Sequence, residues 1–343
     1  MNYVDGSDAS PRKNNKQTFA CVITPYIKMK VISVTAAPNQ QVKYVPCVAT
    51  IGFFDGVHLG HLDLIRQLCK EAHLMHLPAT IITFPNHPLT VLKPGHHPQL
   101  LTTIEDKISL LEQAGVDMCY LIPFTQELSQ LSAYDFMKHY LKEKWNVKRL
   151  IVGYDHHFGH NNSDKKDNYK IYGQALDIQI TTASPCMLMG ETISSSIIRK
   201  AILQGNVNKA RTFLGRPYSL KGKVVHGLHN GHKLGFPTAN ILPENIQTII
   251  PNNGSYAAYT HVNHHTYQSM VGISNRPSIG HHLQRTIEVH IFDFQEDLYG
   301  STLQVDFIEK IRDEKVFDST TDLAAQLQND AEQARHLLNS IDS

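Results

Sequence analysis

Several common signatures are missing from this chain of 343 residues. Its five cysteines (Cys21, Cys47, Cys69, Cys119 and Cys186) form no CxxC pair, which removes the zinc ribbon and the dithiol redox motif. Scattered in this way, they read as reduced, mostly buried thiols of a cytoplasmic protein. No apolar run approaches the roughly 18 residues that span a membrane. The stretch TFACVITPYI (18–27) is broken by Pro25 and lacks a small-residue cleavage site, so a secretory signal is not supported. Net charge is only +1, so any anion site must be local, and neither nucleic acid nor membrane is expected as a partner. No GxxxxGK followed by Ser or Thr occurs, which leaves a Walker-type kinase unsupported.

What is present suits a globular protein of two domains: 41% of residues are hydrophobic and 18% charged. Histidine is abundant, at 21 residues, so a lone histidine proves little, and tracts such as PGHHPQ (94–99) read as solvated loops. Residues 1–28 are expected to be a disordered or non-native extension, with Met29 an alternative start. From about 45 to 205, the strand-like runs 47–53, 79–84, 117–122, 149–154 and 177–182 alternate with helix candidates near 59–76, 103–114, 132–145 and 194–204. In the first helix Leu62, Ile65, Cys69 and Ala72 form one apolar face. This alternation predicts a parallel α/β domain over 29–206, with ligands at the carboxyl ends of the strands. After LGRPYSL (214–220) the runs become strand-like and turn-rich up to about 310. They predict an antiparallel barrel within a second domain, 207–343, closed by an amphipathic helix that opens at Asp318–Ser319 and carries Leu323, Leu327 and Ala331. There is no internal repeat.

Two segments of the first domain suit phosphate. In GFFDGVHLGH (52–61), Gly56 and Gly60 permit close backbone approach, and His58 and His61 share a face if the segment is helical. A helix amino terminus with two imidazole donors suits negative charge building on phosphorus. Two surface histidines, or a metal pair short of a third ligand, fit the pattern equally well. In ISSSIIRKAI (193–202), Ser194, Ser195 and Ser196 open a helix, either as caps or as phosphate ligands, and Arg199 adds a guanidinium fork.

The HxGH and ISSSxxR segments, with TFPNHP (83–88) and VGYDHHFG (152–159) between them, resemble the adenylyltransferase half of bacterial bifunctional riboflavin kinase/FAD synthetases. That resemblance implies a Rossmann-like nucleotidyltransferase domain. Gly52, Phe54, Asp55, Gly56, Gly60, Ser194, Ser195 and Ser196 would bind ATP or phosphate there. His58, His61 and Arg199 would be catalytic, and Asp155 would contact flavin. Ser196 stands where the family usually has Thr and keeps the hydroxyl. His160 and Asn162 occupy positions where the family commonly has basic residues.

The second domain carries GLHNGHKLGFPTANI (227–241), whose glycines suit a loop over phosphates. Thr238 and Asn240 offer hard oxygen ligands, although a plain structural turn fits the same residues. LGFPTAN (234–240) resembles the signature of the flavokinase fold, a six-stranded antiparallel barrel with a terminal helix. The likeness implies ATP contacts at Gly231, Lys233, Gly235 and Pro237, and Mg²⁺ at Thr238 and Asn240. It implies a catalytic base at Glu288 in TIEVHIFDF (286–294), and flavin contacts at Arg312 and Phe317. Strand alternation sets Ile287, Val289 and Ile291 on one face, and Glu288, His290 and Phe292 on the other. Here the family's Arg is His232, and Gly272, Ser274 and Ser278 replace its usual Asn, Gly and Thr. The resemblance covers roughly residues 29–336. It implies an enzyme that phosphorylates riboflavin to FMN and joins FMN to AMP, with ATP as co-substrate of both steps. A decayed half, or a non-catalytic flavin-binding regulator, remains an alternative, and the oligomeric state is left open.

Overall fold

The computed structural model describes residues 28–34, 44–93, 95–154, 158–159, 166–227, 235–277 and 283–342. Six strands, β1 (Lys30–Ser33), β2 (Cys47–Ile51), β3 (Ala79–Thr83), β4 (Met118–Leu121), β5 (Val147–Val152) and β6 (Gln179–Thr182), form one sheet in the order β1-β4-β3-β2-β5-β6. Every pair in it is parallel. All residues of β2 and β3 are buried, as central strands covered on both faces require. One face holds Tyr120, Trp145 and Tyr169, and the other is covered by helices α1 (Leu59–Met75) and α3 (Ile104–Gln113), with short α2 (Pro88–Leu92) between them in sequence. The buried residues of α1 are Leu64, Ile65, Leu68 and Ala72; Leu62 and Cys69, expected on its apolar face, are partly buried at the rim of the same cluster. Short α4 (Gln126–Gln130) follows β4, and α5 (Ala133–Phe136) runs into a π-helical segment, Met137–Lys144, which together fill the expected 132–145 helix. The helix α6 (Lys166–Leu176) had no counterpart in the sequence reading.

From β2 the chain moves to β3 and β4 on one side, then crosses back to β5 and β6 on the other. The strand order therefore reverses between β2 and β5, where a crevice opens at the carboxyl ends of the strands. The segment after Ile51 and the segment after Val152 both emerge there.

A small hairpin, β7 (Met187–Leu188) and β8 (Glu191–Thr192), leads into α7 (Ser195–Leu203) and α8 (Val207–Leu214). Then β9 (Tyr218–Val225), β10 (Ala239–Pro243), β11 (Gly254–Val262), β12 (His265–Pro277), β13 (Leu283–Ile291) and β14 (Thr302–Asp313) close an antiparallel barrel in the order β10-β13-β12-β11-β14-β9. The alternation holds: Ile287, Val289 and Ile291 face the barrel core, while Phe292 packs outside under the terminal helix α9 (Thr320–Asp342) with Ala331, Ala334 and Leu338. Ile198, Ala201 and Ile202 of α7 and Ala210 and Phe213 of α8 belong to the barrel's own apolar cluster. One continuous core thus crosses from residue 198 into the barrel, so the two halves share packed surface.

Candidate active sites

The first site is built on a turn that few residues adopt. Phe54, Gly56 and Val57 lie at φ of 54°, 81° and 36°, and for the two that are not glycine this is strained backbone. A Cβ on Gly56 would sit 2.8 Å from Leu101 Cδ1, so glycine is required on both counts. The turn delivers His58 as the N-cap of α1. His58 is 4% exposed, and its Nδ1 accepts from the backbone N–H of His61 at 3.3 Å. The two rings stack at 3.6 Å between centroids. Burial, with Arg216 adding to it, lowers the His58 pKa to about 4. Burial and then His58, Lys107 and Arg216 hold His61 well below the ordinary value. Both rings are therefore neutral at pH 7. With Nδ1 accepting, the His58 proton sits on Nε2, which makes that atom a donor.

The amino terminus of α7 meets that of α1. His58, Gly60, His61 and Ser194 to Ser196 line one cavity of about 240 Å³. Among the described residues, the buried Nδ1 of His61 has no hydrogen-bond partner. Two helix amino termini facing one polar cavity make an anion site, since their N–H groups and dipoles point the same way. The three serines divide the labour. Ser194 caps α7 by accepting from Ile197 N–H, Ser195 donates to the Asp55 carbonyl at 2.9 Å, and Ser196 is exposed at the cavity wall.

Asp55 and Arg199 lie beside the cavity and outside its lining. The Asp55 carboxylate is 4% exposed and accepts from the backbone N–H groups of Leu101 at 2.9 Å and Thr102 at 3.2 Å, and from Arg199 Nη2 at 2.8 Å. Arg199 Nε donates to the Gln99 carbonyl at 2.8 Å. A carboxylate lining a phosphate cavity would repel its ligand, whereas here it fixes the turn and Arg199. Gly52 and Phe54 are likewise part of the turn, the Phe54 ring lying 3.0 Å from where a Gly52 Cβ would be. Asp155, expected at the flavin, lies outside the described residues.

The second site lies on the outer barrel wall. Glu288 on β13 pairs in register with Asn240 on β10, and Thr238 Oγ1 donates to Glu288 Oε2 at 3.3 Å. Two cavities meet at Thr238. One, of about 360 Å³, lies between the barrel wall and the start of α9 and is lined by Glu288, Arg312 and Phe317. The other, of about 660 Å³, includes Pro237 and the segment from Phe294 to Tyr299. A Cβ on Gly227 would fall 2.0 Å from Asn240 Nδ2, so that glycine makes room for the Asn240 side chain. Gly235 stands at φ 82° in the turn before Thr238. Gly231 and Lys233 lie outside the described residues, as do His160, Asn162, His232 and Ser278. Gly272 lies opposite Glu288 on β12, and Ser274 Oγ is 3.2 Å from Thr286 Oγ1 across the same pair of strands.

Three residues escaped the sequence reading. Lys107 is 3% exposed, and its Nζ donates to the carbonyls of Phe53 and Phe84 at 3.0 Å, tying together the chain ends beyond β2 and β3. Burial lowers its pKa to about 8. A lysine in the apolar stripe Ile104–Lys107–Ile108–Leu111 was the signal. Asp330, 1% exposed, holds Arg312 Nε at 3.0 and 2.9 Å and places that guanidinium 5.6 Å from the centre of the Phe317 ring. No local pattern marks Asp330. Arg216 sits in the quoted LGRPYSL segment, where only tertiary structure gives it a role.

With two sites on two folds described, the comparisons decide the family. A relative from Bacillus subtilis, named bifunctional riboflavin kinase/FMN adenylyltransferase, is 34% identical over 313 residues, covering 89% of this chain and 97% of the relative. The chain belongs to the bifunctional riboflavin kinase/FMN adenylyltransferase family. A relative of the same name from Buchnera aphidicola is 36% identical and covers 85% of this chain and 94% of its own length. The family model described as FAD synthetase matches residues 40–197, and the one described as riboflavin kinase matches 214–338. A crystal structure described as a macrolide-efflux protein from Streptococcus pneumoniae superimposes with a TM-score of 0.82 at 31% identity, covering 90% of this chain and 99% of that one. Among the described residues of the present chain, no helix is long and apolar enough to cross a membrane.

Proposed function

We propose that this member of the family makes FAD in two steps, each at one of the sites described. In the barrel, riboflavin occupies the cavity beneath α9 and the ATP phosphates approach from the neighbouring one. Glu288 takes the proton of the 5′-hydroxyl, the oxygen attacks the γ-phosphorus, and ADP leaves. A primary alcohol is a poor nucleophile, so a carboxylate within reach is the group this step needs. Thr238 and Asn240 supply a hydroxyl and an amide oxygen beside Glu288, a hard-donor set that fits Mg²⁺. When bound there, Mg²⁺ supplies charge neutralisation on the phosphates. Arg312, held by Asp330, and Phe317 line the flavin side.

In the first domain, an FMN phosphate oxygen attacks the α-phosphorus of ATP and pyrophosphate leaves. The N–H groups at the two helix starts, with the Nε2–H of His58 and the ring of His61, stabilise the charge on the transferring and leaving phosphates. No side chain becomes covalently attached. Arg199 contributes by fixing the Asp55 turn from which His58 projects. A soluble-substrate pathway of this kind fits the cytoplasm.

The observation that carries this reading is the Thr238–Glu288 contact at the junction of two cavities, in the same chain as a cavity lined by two helix amino termini. The test is a time course with riboflavin, ATP and Mg²⁺, and in parallel with FMN and ATP, separating flavins by chromatography. FMN should precede FAD. Glu288→Gln should lower riboflavin phosphorylation by about 10²–10⁴-fold and leave FAD formation from FMN intact, and His61→Ala should do the reverse. Flavin binding with no product in either reaction would overturn the reading.

A further inference from the structure

We propose that Arg216, in the segment joining the two halves, is a positioning residue for adenylyl transfer: its guanidinium grips the carbonyls of the strained turn from which His58 and His61 project. Nη2 donates to the Gly56 carbonyl at 2.6 Å, and Nη1 donates to the carbonyls of Val57 and Leu214, each at 3.3 Å. The guanidinium is spent on carbonyls, with Asp106 and Asp306 acting on it only through their fields. A half-buried cation without a bonded carboxylate is costly to keep, so its carbonyl contacts matter.

The packing around it agrees. Gly215, at φ 74°, ends α8 against α1, and a Cβ there would lie 2.6 Å from Leu59 Cδ2. A Cβ on Gly56 would lie 3.3 Å from Leu214 Cδ2. Leu214, Gly215 and Arg216 therefore lie against Gly56, Val57 and Leu59. The turn they touch has three positive-φ residues in four positions, one of them the β-branched Val57, which is fully buried. Such a turn persists only when its surroundings over-determine it. Thr102 Oγ1 accepts from the Gly56 N–H at 3.1 Å, and the Asp55 carboxylate is anchored by Leu101, Thr102 and Arg199. Arg216 completes the set from the other domain. The segment that leads into the barrel thus contributes a positioning residue to a reaction carried out in the first domain.

This inference rests on the adenylyltransferase reading, and the experiment separates the two. In the full-length protein, Arg216→Met should lower FAD formation from FMN by about 10- to 100-fold, as small misplacements of a reacting constellation do. Riboflavin phosphorylation, measured on the same preparation, should stay within twofold. Arg216→Lys keeps the charge and reaches one carbonyl without forking both, so it should recover part of the loss. The groups acting on the His58 and His61 rings are each other, Lys107 and Arg216, with Asp55 engaged by Arg199. Removing the Arg216 cation should therefore move the acid limb of the FAD-formation pH profile upward in Arg216→Met and leave it in place in Arg216→Lys. Hydrogen exchange of the amides of residues 56–61 should quicken about tenfold in Arg216→Met. That readout needs no reaction, so it tests the grip even if the wild-type protein makes no FAD. Unchanged exchange, undiminished FAD formation, or equal loss of both activities would each overturn the proposal.

Discussion

Replacing Asp55 tests whether the turn before His58 is held by a buried carboxylate, as the geometry requires. The carboxylate is 4% exposed and binds two backbone N–H groups and one guanidinium nitrogen. Asp55→Ala would leave all of these donors unpaired, one of them charged and only 24% exposed. Removing one partner of a buried ion pair in this way costs about 3–5 kcal/mol. Asp55→Asn keeps the shape and one acceptor oxygen, but its NH2 would face either the backbone N–H groups or Arg199, so it should cost about 1–3 kcal/mol. The assay is already built in. Trp145, the chain's single tryptophan, is fully buried in the first domain, so its fluorescence in a urea titration reports on that domain. An Asp55→Ala midpoint shifted by less than about 1 kcal/mol would refute the reasoning, as would an asparagine variant less stable than the alanine one.

Two further expectations follow from burial. His58 titrates near 4 in the folded state against an ordinary 6.5, because its charged form is disfavoured inside. Between those values the unfolded chain binds a proton that folded His58 refuses, so stability falls as pH drops through that window, by up to about 1.4 kcal/mol per pH unit. Trp145 fluorescence in urea at pH 7, 6 and 5 measures this, and a flat profile would contradict it. In the barrel, Asp330→Asn should loosen Arg312 and raise the KM for riboflavin by about tenfold, the scale of one weakened charge-assisted hydrogen bond. FAD formation from supplied FMN should stay unchanged; a matching loss there would point to general unfolding.

The strands were the most legible feature. The runs 47–53, 79–84, 117–122 and 177–182 each contain an observed parallel strand, and 149–154 overlaps β5, which starts two residues earlier; β2 and β3 were clearest because strands buried on both faces are near-continuously apolar. Barrel strands showed through alternation, with Ile287, Val289 and Ile291 inside and Glu288 outside. What escaped was short or amphiphilic in an unremarkable way: β1, β10, the β7–β8 hairpin, and the helices α2, α4, α6 and α8. β10 hid inside the Thr238–Asn240 motif, whose turn chemistry masked the pairing with β9 and β13. The hydroxyl cluster at 194–196 was legible as a helix start, but not the division of its three side chains among cap, tether and cavity wall. That division depends on the Asp55 carbonyl, 140 residues away in sequence.

By itself the sequence determined which residue types stand where chemistry can occur: HxGH after an apolar strand, hydroxyls at a helix start, a carboxylate on the polar side of a barrel strand. Local spacing and periodicity are properties of the chain, so they can be read along it. Only the tertiary structure decided which of those groups face a cavity and which hold others in place. Asp55 and Arg199 turned out to grip each other, Lys107 to tie two chain ends, and Arg216 to reach from one half into the other's turn. Each of these depends on a buried polar group finding a partner far away in sequence. Desolvation makes such a partner obligatory, but only the folded packing determines which one it is.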